Sequence, residues 1–383
     1  MGWLLLLSLA AGCTDTVVEM QAPAGAEPWA FSARTLDDTK LYLATLEVNA
    51  RGRSFAADAP DGMGGAGAGL RWRNTYGFVG VTWAASTPGV YDDGLNERGL
   101  SVAQNQLDES SYPNVTHPGA AVGMRAVVGW LLGRAADVAE ARALLEDGGA
   151  QVWGKAGGGP GGDAGAERQH LHVLDADGGE LLVEWVGGAQ HVYGNNAAEG
   201  DGTWGTATNS PDFPTMRAMR AYGRTFPTSF ASVGDGLFNG GGAGAAGRGG
   251  LNGVPAAYDS WSRQARVAVL RRVAPALNTT AQAVAWCFRL LDQVSVPGIP
   301  AVLGGATSLP ADGVGDFTQW QLVRDHSEGG RALYSRTWEN LLPQRLRLAD
   351  LNFSEGAPLL SFAMGQGDWA GEMAASTPQQ GPV

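Results

Sequence analysis

Cys13 stands directly behind a short apolar run, in MGWLLLLSLAAGCTDT. A thiol in that place has three readings. It is an incidental strand residue, the lipid-carrying cysteine of a lipoprotein, or residue one of a mature chain with its own amino group beside its sulfur. Only the last would do nucleophilic chemistry. Amide cleavage by a thiol needs a base near the sulfur, a field that favours thiolate and a site for the developing oxyanion. An α-amine, with an ordinary pKa of about 7.7–8.0, can take and return a proton near neutral pH. On that reading no histidine, metal or cofactor is required. His170 and His172, in the strand-like QHLHVLDA, are expected to be ordinary packing or surface residues.

The segment before Cys13 bears on the choice. Residues 3 to 11 are apolar, too few for a bilayer span, which needs about 20 residues. They fit the apolar region of a signal peptide, with Ala10, Ala11 and Gly12 as the small residues before a cut. Lys and Arg are absent from this prefix. LAAGC is close to a lipobox, with its leucine displaced by one position. The expected organisation is a signal-like prefix or propeptide at 1–12, followed by a single domain over 13–383 in the secretory pathway, extracellular or periplasmic. Three sequons, at Asn114, Asn278 and Asn352, would be open to glycosylation on that route.

Composition excludes one class of partner. The net charge is -12 and no basic run is present, so the chain lacks the clustered Lys and Arg that a phosphate backbone requires. The expected partner is a small molecule, with no nucleic acid and no membrane span; homo-oligomerisation is left open. Cys13 and Cys287 are the two cysteines. Cys287 falls on a helical face, so no disulfide framework is expected.

The elements that must position these residues follow from pattern. Thr14 to Met20 reads as a strand, as do Trp29 to Leu36 and Lys40 to Val48. LRWRNTYGFVGVTW, 70 to 83, reads as one longer strand. In DGLNERGLSVAQNQ, Asp93-Gly94 and Asn96 read as a turn, and a strand restarts at Leu100 to Ala103. The period then changes. Residues 121 to 148 predict two consecutive helices, with Asp137 and Glu140 as a capping box and Gly148 as the stop. QHLHVLDA and ELLVEWV flank Asp177-Gly178 as a hairpin. SRQARVAVLRRVA and TAQAVAWCFRLLDQV predict helices, the second with Ala283, Cys287, Leu290, Leu291 and Val294 on one face. FTQWQLVRD and RALYSRTW predict a further hairpin. Two glycine-rich tracts, 154–167 and 239–253, read as insertions. Strands, then helices, then strands again predict an α+β domain with antiparallel sheets.

Several short motifs occur in a fixed order. They are GCT at 12–14, SARTLDD at 32–38, DGLNERGLSVA at 93–103, ATNSPDFPTMR at 207–217 and GVPAAYDSWSR at 253–263. LDQVSVPGIP at 291–300 and DFTQWQLVRDHSEGGRALYSRTWEN at 316–340 complete the set. Each is weak alone. Together they resemble the choloylglycine hydrolase family of N-terminal-nucleophile amidases, which includes bile salt hydrolases and penicillin V acylases. The resemblance runs from Cys13 to about Phe353.

It implies a four-layered αββα sandwich of two antiparallel sheets, and hydrolysis of a linear amide through a thioester on Cys13. Arg34 would favour the thiolate by its positive charge, and Asp37 would orient the α-ammonium. Asn209 would supply a side-chain N–H to the oxyanion, and the backbone N–H of Gln106 a second. Arg263 would support the nucleophile's field or orient a carboxylate. Taken without the resemblance, these are a surface arginine, turn residues and a helix-surface arginine. The Cys13–Arg34 spacing is several residues longer than the family's usual one. Nothing in the sequence selects among bile salts, phenoxyacetyl amides and acyl homoserine lactones as substrate.

Overall fold

The computed structural model describes residues 13–19, 30–38, 41, 43–83, 89–154, 167–194, 205–223, 254–272, 274–297 and 317–365. The prefix 1–12, residues 155–166 of the first glycine tract and all of the second lie outside the described residues.

The chain begins with strands β1 (Thr14–Glu19), β2 (Ala30–Asp38), β3 (Ala44–Asn49), β4 (Ser54–Ala56), β5 (Arg71–Arg73), β6 (Phe78–Trp83), β7 (Asp93–Asn96), β8 (Ser101–Gln106) and β9 (Ala121–Gly123). Helices α1 (Met124–Arg134) and α2 (Val138–Glu146) follow, then β10 (Gln151–Trp153), β11 (Gln169–Leu174), β12 (Glu180–Val186), β13 (Ala189–Gly194) and β14 (Thr206–Ala207). Next come α3 (Phe213–Gly223), α4 (Ser260–Arg272) and α5 (Thr280–Asp292), and the last strands are β15 (Phe317–Asp325), β16 (Ala332–Thr337), β17 (Gln344–Arg347) and β18 (Leu360–Ala363).

Two large antiparallel sheets carry the fold. One runs β14-β1-β2-β15-β16-β17, the other β13-β12-β11-β8-β7-β6-β3-β18. Strand alternation gives each sheet two buried faces. On β2, Phe31 and Ala33 pack with Cys287, Phe288 and Leu291 of α5, while Ser32, Arg34 and Leu36 take the opposite face, between the sheets. On the larger sheet, Val102, Leu171 and Val183 pack under Val128 and Leu131 of α1. One half of the space between the sheets is apolar, with Leu46, Val81, Leu95, Trp320, Leu322 and Leu333. The layers are therefore helix, sheet, sheet, helix, as expected.

Three local readings need correction. Residues 70–83 are two strands, β5 and β6, separated by a bend at Thr75 and Tyr76, and Gly77 after the bend lies against the Phe353 ring, where a β-carbon would not fit. Asp93 and Gly94 are not turn residues. They are paired across from Ala103 and Val102, and Gly94 lets Leu132 of α1 approach the strand closely. The turn falls at 97–100, where Gly99 has φ +94°. Asn96 does organise it: Oδ1 accepts from the N–H groups of Arg98 (2.9 Å) and Leu100 (3.0 Å), and Nδ2 donates to Leu132 O (3.0 Å) and Ala135 O (2.7 Å). The third correction concerns the end of α2. That helix stops at Glu146, and the left-handed glycine is Gly149 (φ +68°), not Gly148.

The start of α2 falls where expected. Asp137 caps α2, its Oδ1 accepting from Glu140 N at 2.8 Å, while Glu140 Oε2 accepts from Ala136 N at 2.8 Å, one residue before the N–H that a capping box would use. Cys13 and Cys287 are both free and buried. Among the described residues no helix is long and apolar enough to cross a membrane.

Candidate active site

Cys13 directly precedes β1, and its neighbours come from β2, β8 and α4. It is 4% exposed and lines a pocket of about 150 Å³ with Arg34, Leu36, Asp37, Asp38, Trp83, Asp92, Gln104, Gln106 and Gln169.

Arg34 and Asp37 are three residues apart on one strand. Odd spacing puts them on opposite faces of the sheet, so they reach Cys13 from two sides. Arg34 rises into the space between the sheets, with Nη2 3.7 Å from Cys13 Sγ. All five of its N–H donors are engaged. Nε donates to Asn105 Oδ1 (3.1 Å), Nη1 to Asp92 O (3.3 Å) and Asp93 Oδ2 (3.4 Å), and Nη2 to Gln104 O (2.5 Å) as well as the sulfur. Its guanidinium also lies over the Trp320 ring, 5.2 Å from the centroid.

Asp37 is held on the helix-facing side. Oδ2 accepts from Thr35 Oγ1 (3.2 Å) and Oδ1 from Thr318 Oγ1 (2.5 Å). Thr318 pairs with Asp37 where the β2–β15 register shifts between Thr318 and Trp320. Burial pushes the Asp37 carboxyl up to about 6, against the pull of Arg263, Thr318, Thr35 and Arg34.

Arg263 comes from α4, from the other sheet face. Nη1 donates to Cys13 O (2.5 Å) and Thr14 Oγ1 (2.6 Å), Nη2 to Asn209 Oδ1 (2.7 Å), and Nε to Tyr258 O (2.8 Å). It is a buried connector between the cysteine backbone and Asn209, not a helix-surface arginine. Asn209 Nδ2 donates to Gln106 O at 2.9 Å, and its backbone N–H donates to Ser260 Oγ at 3.0 Å.

The orientation of Gln106 follows from strand pairing. Leu107 N donates to Arg168 O at 2.9 Å, and Gln106 lies opposite Gln169. In an antiparallel ladder hydrogen-bonded and non-hydrogen-bonded pairs alternate. Gln106 is thus in a non-hydrogen-bonded pair, and its N–H and C=O point away from β11, toward Asn209. All five expected site residues and Gln106 converge on one place.

Burial is the main influence on the thiol. It pushes Cys13 up to about 11, against the Arg34 charge, an N–H of Asp37 and Arg263, while the Asp37 carboxylate adds to the rise. The sulfur is therefore favoured as a thiol, not a thiolate, near neutral pH.

A row of buried charges that the sequence reading missed stands behind Arg34. Asp93 Oδ1 accepts from Arg324 Nη1 at 2.9 Å, and Arg324 Nη2 donates to Asp15 Oδ1. His172 bridges Asp15 (3.0 Å) and Glu180 (2.7 Å). Glu180 also accepts from Gly205 N at 2.8 Å. Signs alternate along the row, which suits so buried an array. Burial disfavours the His172 cation, yet the bonds to Asp15 and Glu180 prevail and raise it to about 9. Burial likewise opposes the Asp15 carboxylate, and Arg324 and His172 hold it below the usual range.

His172 is thus neither a surface nor an ordinary packing residue. Its place was signalled only by period 2, which puts it on the face of β11 opposite Leu171 and Val173. His170, on the same face, contacts Glu184 Oε1 (3.2 Å) and donates to Thr208 O (2.9 Å), beside Asn209. Among the described residues no cluster of His, Cys, Asp or Glu is arranged to hold a metal.

Residues 66–334 match the family model of linear amide C–N hydrolases, choloylglycine hydrolase family. That span holds Gln106, Asn209 and Arg263, while Cys13, Arg34 and Asp37 precede it. Among solved structures, penicillin V acylase from Agrobacterium tumefaciens superposes with a TM-score of 0.69 at 21% identity, covering 96% of this chain and 98% of that one. A mutant of the conjugated bile acid hydrolase from Clostridium perfringens gives 0.65 at 19% identity, covering 94% and 99%. Another variant of that hydrolase gives 0.66 at 20%, covering 92% and 99%. No curated protein matches the sequence. These structures share the N-terminal-nucleophile hydrolase fold with the present one. With the family match spanning most of its length, the chain belongs to the choloylglycine hydrolase family and is a hydrolase of linear amide C–N bonds.

Proposed function

We propose that Cys13 is the nucleophile, that its own α-amine is the base, and that the substrate is an N-acylated amine or amino acid. The observation that carries this reading is the setting of Cys13. A buried sulfur lies beside Arg34, and the same residue's backbone carbonyl is gripped by Arg263, which also holds Asn209.

In the chain as written the Cys13 nitrogen belongs to a peptide bond. Hydrolysis of the Gly12–Cys13 bond turns it into an amine. A thiol raised to about 11 is a poor nucleophile until deprotonated, and an α-amine of pKa about 7.7–8.0 can do that without staying protonated. The amine takes the thiol proton, and sulfur attacks the amide carbonyl. The oxyanion is met by the Gln106 N–H and by the second Asn209 Nδ2 hydrogen, the first being given to Gln106 O. The α-ammonium then protonates the departing amine nitrogen, leaving the acyl group as a thioester on Cys13. Water, deprotonated by the same amine, attacks the thioester. The carboxylic acid departs and the thiol is restored. Asp37 accepts a hydrogen bond from the α-ammonium and fixes its direction; Arg34 supports the thiolate.

A lipid thioether at Cys13 fits poorly with a sulfur this enclosed. If residues 1–12 act as a leader, the cut that exposes the amine also accompanies export, and residues 13–383 act as one domain. Mass spectrometry of the mature protein tests the reading directly. An unmodified N-terminal Cys13 is expected. A retained Met1 in a fully active protein, or a diacylglyceryl adduct, would overturn it.

A further inference from the structure

The two oxyanion donors assigned above reach the site from different sheets. Gln106 ends β8 of the larger sheet. Asn209 lies in the segment between β14 and α3, and β14 pairs with β1 of the smaller sheet. Arg263 sets which end of the Asn209 amide faces Gln106, but it comes from α4, which packs on β1 and β14, the smaller sheet again. Two donors that share one oxyanion need a fixed separation, so the Asn209 segment must also be tied to the sheet that carries Gln106.

His170 makes that tie. It stands on β11 across from Asn105, one residue along from Gln169, which stands across from Gln106. Period 2 turns it, with His172, to the face between the sheets. Nε2 lies 2.9 Å from Thr208 O, the carbonyl directly before Asn209. A carbonyl only accepts, so Nε2 is the donor. Nδ1 lies 3.2 Å from Glu184 Oε1 on the neighbouring β12.

Glu184 in turn accepts from Phe213 N with both oxygens, at 3.0 and 2.9 Å. Phe213 is the first residue of α3, and the leading N–H groups of a helix have no partner within it. The His170–Glu184 pair therefore holds the segment before Asn209 at Thr208 and after it at Phe213. Asn105, beside Gln106, adds a hold by donating Nδ2 to Ala207 O at 3.3 Å. His170, Glu184, Thr208 and Asn209 are all buried, where such bonds are worth most. His170 is not among the residues that line the Cys13 pocket, so it acts on the reaction through the segment it holds.

We propose that His170, braced by Glu184, is a positioning residue of the oxyanion site: it pins residues 208–213 to the larger sheet and so sets the separation of the Asn209 and Gln106 donors. The inference deepens the amidase reading and rests on it for the role of those donors.

The test is a double-variant cycle on the mature enzyme, read with the best-cleaved member of an N-acylglycine series of graded chain length. His170→Phe keeps a ring and removes both bonds. It should lower kcat about ten- to a hundredfold, the scale of a group displaced by about 1 Å, with KM changed far less. In the Asn209→Ala background the donor is already gone, so the same substitution should cost less than about a further twofold. His170→Gln, whose amide N–H reaches the place of Nε2, should recover much of the lost kcat. Alkylation of Cys13 by iodoacetamide forms a carbon–sulfur bond and releases iodide without an oxyanion, so its rate should stay that of the parent. Peptide mass mapping separates Cys13 from Cys287.

Parental kcat in a folded His170→Phe would overturn the proposal. So would a defect in KM alone, or an equal fall in Cys13 alkylation. Should His170→Phe not fold, His170→Asn carries the same cycle, because its shorter amide does not reach Thr208 O. Losses that multiply in full, with Asn209→Ala itself slow, would sink the positioning role and leave the amidase reading standing. Asn209→Ala at parental kcat would sink the oxyanion assignment, and the proposal with it.

Discussion

Arg263 Nη2 donates to Asn209 Oδ1 at 2.7 Å. A guanidinium has no acceptor, so this bond decides which end of the Asn209 amide faces it. Nδ2 is turned to the Gln106 backbone, where an oxyanion would form. Arg263 also grips Cys13 O, so one side chain holds the proposed nucleophile and the proposed oxyanion donor in a common frame.

Removing either member should therefore act on the transition state more than on binding. Asn209→Ala is expected to lower kcat about 10²–10³-fold with a much smaller change in KM, the usual cost of one oxyanion donor. Arg263→Gln should lower kcat at least as far, because Asn209 and the Cys13 backbone are both released. A variant that raised KM alone would assign Asn209 to substrate binding instead.

Cys13→Ser should reduce turnover by at least about a thousandfold, with circular dichroism and thermal midpoint close to those of the parent. Oxygen is smaller than sulfur and fits the same place without a clash, so folding is expected to survive. Full activity in this variant would exclude the thioester route.

The α-amine must be unprotonated to act as base, so the rate should first fall as pH drops through about 7.7–8.0; a second, lower acid limb should report Asp37. Its carboxyl is raised to about 6 by burial, and a neighbouring α-ammonium in the mature enzyme pulls it down. The ionised form is the one that holds the ammonium, so activity should fall further as pH drops through about 6 or slightly below. Thr318 Oγ1 donates to this carboxylate and favours its charged form. Thr318→Val should move this lower limb to higher pH. An unmoved limb would assign it elsewhere, with Asp93, also raised to about 6 by burial, as the group to examine.

His172 should link stability to pH. Its folded pKa of about 9 lies above the ordinary value of 6.5. The stability it contributes is fully present below 6.5 and is lost as pH rises toward and through 9. His172→Gln leaves Asp15 and Glu180 without their shared cation, a loss on the order of 3–5 kcal/mol for a broken buried pair. Denaturant midpoints measured from pH 6 to 10 should fall with rising pH in the parent. In the variant they should be lower at pH 6 and change less. A parent profile flat across this range would show that His172 is neutral.

Much of the site was legible before any coordinates. Local periodicity placed β1, β2, β8, both hairpins and the four helices α1, α2, α4 and α5, because apolar spacing, caps and turn glycines are properties of neighbouring residues. The ordered motifs then named Cys13, Arg34, Asp37, Asn209, Arg263 and the Gln106 backbone together. Long-range burial was not legible in the same way. Asp93 looked like a turn residue because Asp-Gly favours turns, yet pairing with β8 and the arginines Arg34 and Arg324 absorbed it into a strand. His172 looked inert because its partners, Asp15 and Glu180, lie on two other strands.

The order of residue types along the chain thus determines which strands form and which side chains alternate to which face. It also supplies a cysteine with an arginine and an aspartate on opposite faces of the next strand. Only the tertiary structure decides that a second sheet closes over Arg34, that Arg324 and His172 complete the row of charges behind it, and that the Cys13 thiol is buried deeply enough to be raised. The reason is physical. Strand pattern is set by near neighbours, whereas desolvation and ion pairing depend on which distant strands are stacked face to face.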